Sequence, residues 1–219
     1  MFSLVSPLED RLDLLTNQQE LFLRYNGLLL TLEKRWSDRW QALVSYSISE
    51  ATGLQAGSVF GPGAGQLSTT FGWIGFGRDP NDYTNATGPL NNDRTHIFRV
   101  QGAVEIPKVG VLVGANFQHL TGQPWAAFAN VRLPQGLIGI LVETRGTRRL
   151  SAQSLLDLRV SKIFRFGRKG KFEFLAELNL LNDSAEVGLV SSNYFSPNLG
   201  KGQLFVDPLR AMIGVKFSF

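Results

Sequence analysis

Residues 71–93 (FGWIGFGRDPNDYTNATGPLNND) hold the densest group of side chains able to recognise something. Trp73, Phe76 and Tyr83 offer apolar contact, while Arg78, Asp79, Asn81 and Asp82 offer charge and hydrogen bonds. Such a mixture suits capture of a bulky ligand by an exposed loop. It equally suits a turn-rich connection, because Asn, Asp, Gly and Pro dominate turns, and both readings stand at this point. The spacing D-x-[DN]-x-[DN]-G-x5-E of a calcium loop is not met.

Other chemistry is poorly supplied. The 219 residues include no Cys and two His, His96 and His119. A thiol nucleophile, a disulfide framework and a thiolate zinc site are therefore excluded. Neither His has a second metal ligand at a telling distance in sequence. The run Gly61-Pro62-Gly63-Ala64-Gly65 has neither the G-x-x-x-x-G-K-[ST] nor the G-x-G-x-x-G spacing of a phosphate loop. The Ser residues have no evident His and Asp arrangement around them, so the expectation is a protein without catalysis, cofactor or metal. The cluster TRGTRRL at 144–150 reads either as a solvated cationic loop or as a lure for an anionic ligand or lipid phosphates.

A net charge of +4 raises the question of nucleic acid. Most Lys and Arg, however, sit singly among Asp and Glu on the polar sides of alternating segments. That pattern does not form a phosphate-tracking stripe, and no nucleic-acid partner is expected.

The segments that carry these residues alternate with period two over about ten residues. They lie at 25–35, 41–50, 95–106, 109–120, 155–166, 171–181 and 210–219. In the fifth, Leu156, Leu158, Val160 and Phe164 oppose Asp157, Arg159, Ser161 and Arg165. In the sixth, Phe172, Phe174, Ala176 and Leu178 oppose Lys171, Glu173, Glu177 and Asn179. No comparable helical period appears after Glu20. No apolar run approaches the ~18 residues of a spanning helix. Residues 1–5 are followed by Pro7, Glu9 and Asp10 and do not read as a secretory leader.

Short links at 36–39, 107–108 and 167–170 alternate with long ones at 51–93, 121–153 and 183–207. Soluble sandwiches keep their links short. An antiparallel transmembrane β-barrel instead has short periplasmic turns and long extracellular loops. Trp36, Trp40, Phe164, Phe166, Phe172, Phe174, Phe217 and Phe219 gather at the short-turn ends, as an interfacial girdle would. The expected fold is all-β, an antiparallel transmembrane β-barrel segment of about seven strands. Residues 1–24 are expected to be a loop or strand remnant and 25–219 the barrel segment.

The stretches 25–49 (YNGLLLTLEKRWSDRWQALVSYSIS), 76–107, 121–126 (TGQPWA), 145–167 and 205–219 (FVDPLRAMIGVKFSF) resemble the C-terminal part of TonB-dependent outer-membrane receptors. The branch is the one with an N-terminal carboxypeptidase-regulatory-like domain. The resemblance implies the outer membrane of a Gram-negative bacterium, a wall of a barrel of ~22 strands, and active uptake of a bulky ligand energised through TonB. It implies partners in the outer-membrane lipid, the barrel-assembly machinery, the rest of the receptor and an imported ligand of unknown identity. Ile213, Val215, Phe217 and Phe219 match the family's C-terminal assembly signal. Plug and TonB-contacting segment are absent from the sequence, so the expectation is the last third of a receptor, unable to transport alone. The alternative is a small standalone outer-membrane barrel with a structural or adhesive role.

Overall fold

The computed structural model describes residues 1–5, 22–54, 80–166, 170–181, 185–189 and 191–218. Its main sheet is antiparallel and open, running in the order β1 (Leu23–Ser37), β2 (Trp40–Gly53), β4 (His96–Ile106), β5 (Val111–Leu120), β10 (Gln153–Phe166), β11 (Gly170–Leu181) and β14 (Arg210–Ser218). These seven are the seven alternating segments of the sequence, in chain order. A two-residue strand, β3 (Gly88–Pro89), adds to β2.

The tight turns follow from local chemistry. Asp38 and Arg39 both have positive φ, 51° and 70°, the pair of left-handed residues that a two-residue hairpin requires. Pro107 and Lys108 open the second turn, and Gly110 closes it at φ 65°, a backbone that glycine adopts without strain.

Register puts one kind of side chain on each face. One row reads Leu32, Val44, Val100, Phe117, Leu156, and the next but one reads Trp40, Val104, Val113, Val160, Ala176, Ile213. On the opposite face one row runs Glu33, Leu43, Gln101, Asn116, Asp157, Asn179, Arg210. A one-residue slip anywhere would exchange the two faces, and none occurs between β2 and β14.

The strands are also skewed. Trp40 lies at the tip of its hairpin. Along its row, the second hairpin extends two residues farther (Val104 to Ile106) and the third extends six farther (Val160 to Phe166). Six residues at ~3.3 Å, across the four strand spacings of ~4.8 Å between the midlines of the first and third hairpins, give a tilt of about 45°.

The hydrophobic core is not on this sheet. Every buried apolar residue among those described lies in or at the mouth of the long connections: Leu54, Ala86, Ala126, Phe128 and Leu141 in one cluster, and Trp125, Leu150 and Leu189 in another. The first connection also contains a 3-10 turn at Pro80–Tyr83. The second contains β6 (Pro124–Trp125), β7 (Phe128–Leu133), β8 (Gly136–Leu141) and β9 (Arg148–Arg149). The third contains β12 (Glu186–Leu189) and β13 (Gly202–Phe205). β7 pairs with β8, β6 with β9, and β12 with β13. The described parts of the long connections form a packed cap. Small residues make that possible: Ala86, Ala126, Ala127 and Ala185 are almost wholly buried, and short side chains let irregular chains approach closely. No alternating pattern announces such packing.

Candidate functional site

Three surfaces can carry function: the apolar face, the polar face and the cap. Among the described residues, much of the apolar face is left exposed. Leu32 is 72% exposed, Ile213 71% and Phe217 69%, and Trp36, Trp40, Val160, Phe164, Phe174 and Val215 are also exposed. Exposed apolar surface of this extent marks a contact surface rather than a finished exterior. At the short-turn end Phe164, Phe172 and Phe217 form a row with ring centroids 6.1 and 4.9 Å apart. Lys34 lies over Trp40 at 4.0 Å and Lys162 over Phe164 at 5.0 Å. At the other end the face closes with polar groups. Tyr46 Oη is hydrogen-bonded to His96 Nδ1 at 2.8 Å, and His119 Nδ1 to Ser154 Oγ at 2.9 Å. Ser154 and Phe164 are ten residues apart on β10, which at a 45° tilt gives a band about 23 Å high, close to the ~25 Å of outer-membrane barrels.

The polar face lines a hollow of about 920 Å³ bounded by residues from β1 to β11. At its middle Asp157 accepts hydrogen bonds from two amides on neighbouring strands, Asn179 Nδ2 at 2.8 Å and Asn116 Nδ2 at 3.0 Å. Below it Arg159 lies 3.4 Å from Glu177 and 3.8 Å from Glu173. Charges here are paired across strands, which lowers their cost in a half-solvated surface. Ser161 departs from expectation. Its polar-face position suggested open water, yet it is only 4% exposed, between Leu112 and Leu175 in register.

The cap decides the fate of the sequence candidates. Trp73, Phe76, Arg78 and Asp79 lie outside the described residues. Asn81 is buried; its Oδ1 accepts from Phe2 N at 2.7 Å and its Nδ2 donates to Phe2 O at 2.8 Å. Tyr83 packs on the first apolar cluster. Asp82 sits between them in the 3-10 turn, partly exposed. Asn81 and Tyr83 therefore help to hold the cap together. Ile213, Val215 and Phe217 lie along β14 on the apolar face, opposite Ala176, Phe174 and Phe172. Phe219 lies outside the described residues.

The basic cluster at 144–150 is solvated only in part. Arg145 is 2% exposed, and donates from Nε to Pro89 O and from Nη2 to Asn91 Oδ1. Burial lowers its pKa to about 10. Arg148 pairs with Glu143 at 2.8 Å and lies over the Trp125 ring. Arg149 pairs with buried Asp93. Three cations at this spacing look like a surface feature in sequence; tertiary contacts place Arg145 alone in the interior, while Arg148 and Arg149 stay exposed but paired.

His96 and His119 sit on adjacent strands and the same face, but their Nδ1 atoms engage partners on opposite sides. Among the described residues no group of three or more His, Cys, Asp or Glu could hold a metal ion. Sequence reasoning also missed two residues: Asp157 as the hub of the polar face, and Lys162, which shares the apolar side with Val160 and Phe164. The parity of position 162 was the available signal. No family model, curated protein or solved structure matches the chain.

Proposed function

We propose that the chain forms wall strands and outer loops of an outer-membrane β-barrel of the TonB-dependent receptor type, serving active uptake of a bulky ligand. The observation that carries this reading is the apolar face. It extends over seven strands, in one register from β2 to β14, much of it is exposed, and the buried apolar core of the described residues is elsewhere. Water would oppose such a face and hydrocarbon would solvate it. The tilt of about 45° and the aromatic end agree with a barrel wall. No helix among the described residues is long and apolar enough to cross a membrane.

In this reading the hollow faces the lumen and the cap faces outward, where the ligand arrives. Ile213, Val215 and Phe217 are read by the assembly machinery, and energy reaches the barrel through TonB. Strand direction favours a larger barrel over a standalone one. β1 and β14 run the same way, because six antiparallel steps separate them. Closing them on each other would need a parallel seam. An antiparallel seam needs an odd number of further strands, giving the even total usual for bacterial barrels.

An epitope inserted after Asn198, in the cap, and another after Lys108, in a short turn, test this reading in intact Gram-negative cells. The reading expects antibody to reach the first and not the second. Recovery of the chain in the soluble fraction, or labelling of the Lys108 site in intact cells, overturns it.

A further inference from the structure

Four charged residues share the side of the wall that carries the apolar face. Arg24 and Glu50 stand at its long-connection end; Lys34 and Lys162 stand toward the short turns. Lys34 is provided for by its own hairpin. Its Nζ donates to Ser37 O at 2.9 Å, Ser37 Oγ at 2.6 Å and Trp40 O at 3.3 Å, and Asp38 lies 3.9 Å away.

Lys162 is different. Its cross-strand neighbours are Val111 and Phe174, and its neighbours on the same face of β10 are Val160 and Phe164. The diagonal positions are Val113, Phe172 and Ala176, and the next strands out contribute Ile106 and Val215. None can accept a hydrogen bond or offer a negative charge. In sequence β10 is followed by Gly167-Arg168-Lys169, which has no acid either. The nearest carboxylates on these strands, Glu105 and Glu173, point to the other face. Among the described residues no acceptor meets the Lys162 Nζ; its one recorded partner is the Phe164 ring at 5.0 Å. That contact draws the ammonium along the strand toward the aromatic end, as a snorkelling lysine does.

We propose that Lys162 binds the phosphate of a phospholipid in the leaflet at the short-turn end, with the Phe164–Phe172–Phe217 row packing beside the acyl chains. This rests on the membrane reading above. A cation within an apolar surface needs a counter-charge, and near the edge of a bilayer the headgroup phosphate supplies it.

The test uses the full chain in maltoside micelles, with phosphatidylglycerol added and retained lipid counted by native mass spectrometry. Wild type should hold a phosphatidylglycerol about fivefold more tightly than Lys162→Gln or Lys162→Leu. Lys162→Arg should restore binding, and Lys34→Gln should leave it unchanged. Inorganic phosphate should not compete, since it lacks the acyl chains. Equal retention by wild type and both neutral variants overturns the proposal, as does equal loss with Lys34→Gln. Bilayer insertion is read separately, by quenching of Trp36 and Trp40 with brominated acyl chains. Quenching without a Lys162 effect rejects this site alone, whereas no quenching rejects the membrane reading itself.

Discussion

Arg149 Nη2 lies 2.7 Å from Asp93 Oδ2, and the carboxylate it meets is 2% exposed. The same guanidinium donates from Nη1 to Asp93 O and Gly122 O, while Asp93 Oδ1 accepts from Ala51 N. One ion pair thus joins the end of β2, the first connection and the second connection. Asp93→Ala should destabilise the cap by about 3 kcal/mol, because it strands a partly buried guanidinium and a backbone donor. Limited proteolysis of residues 121–152 should accelerate while the wall strands stay protected. Unchanged cleavage would mean that the pair is ornamental.

Arg145 makes a second tie. Arg145→Ala removes the donor to Pro89 O and Asn91 Oδ1 and leaves space in a fully buried site. A loss of about 3 kcal/mol is expected by chemical denaturation of the cap. Because burial lowers the Arg145 pKa to about 10, the folded cap holds this proton less firmly than the unfolded chain does. The penalty for burying the charge is therefore constant at neutral pH and is relieved only as pH rises through about 10.

The two faces give opposite outcomes for one substitution. Val160→Arg puts a guanidinium among Val113, Ala176 and Phe164 and should cost roughly 2–4 kcal/mol of folding in lipid vesicles. Asn179→Arg, on the polar face beside Asp157, should cost less than half as much. Ser161→Arg should be as damaging as Val160→Arg, because Ser161 is 4% exposed between Leu112 and Leu175. A mild Ser161→Arg would show that this pocket is open to the lumen.

The Ser161 case shows how far the sequence carries. All seven wall strands were legible, because a half-exposed strand writes its two faces into alternate positions. The alternation says which side a residue takes and nothing about how closely its neighbours crowd it. The cap was illegible for a different reason. Asn81, Tyr83, Asp93, Arg145 and Arg149 are joined by contacts between different connections, and irregular chain has no period to betray them. Their polar composition suggested exposure, while hydrogen bonds to backbone carbonyls and amides keep several of them inside.

A pH response follows from Glu186. Burial raises its pKa, but hydrogen bonds from the Ser151 hydroxyl and backbone N–H and from its own backbone N–H outweigh this and lower it. A carboxyl with a lowered folded pKa adds stability that is complete above its ordinary value and is lost as pH falls through the lowered one. Hydrogen exchange at the Ser151 amide should therefore quicken, beyond the intrinsic pH trend, as pH falls below the ordinary carboxylate range. Glu186→Gln should show no such excess.

The Asp38–Arg39 turn can be improved. Arg39 has φ 70°, which costs a residue with a Cβ about 1 kcal/mol relative to glycine. Arg39→Gly should raise stability in denaturant by up to about 1 kcal/mol, since its backbone carbonyl still accepts from Glu105 N. A loss of stability would indicate that the Arg39 side chain is needed at that end of the wall.

The central claim is that one side of the wall meets hydrocarbon and the other meets water. The chain has no Cys, so single cysteines carrying nitroxide labels can be placed one at a time from 156 to 164 on β10 in lipid vesicles. Collision with oxygen dissolved in acyl chains should peak at 156, 158, 160 and 164. Collision with a water-soluble nickel complex should peak at 157, 159 and 163, so that the period of two is interrupted only at buried Ser161 and at Lys162. If both reagents reach the two sets equally, the apolar face does not contact lipid and the chain is not a membrane wall.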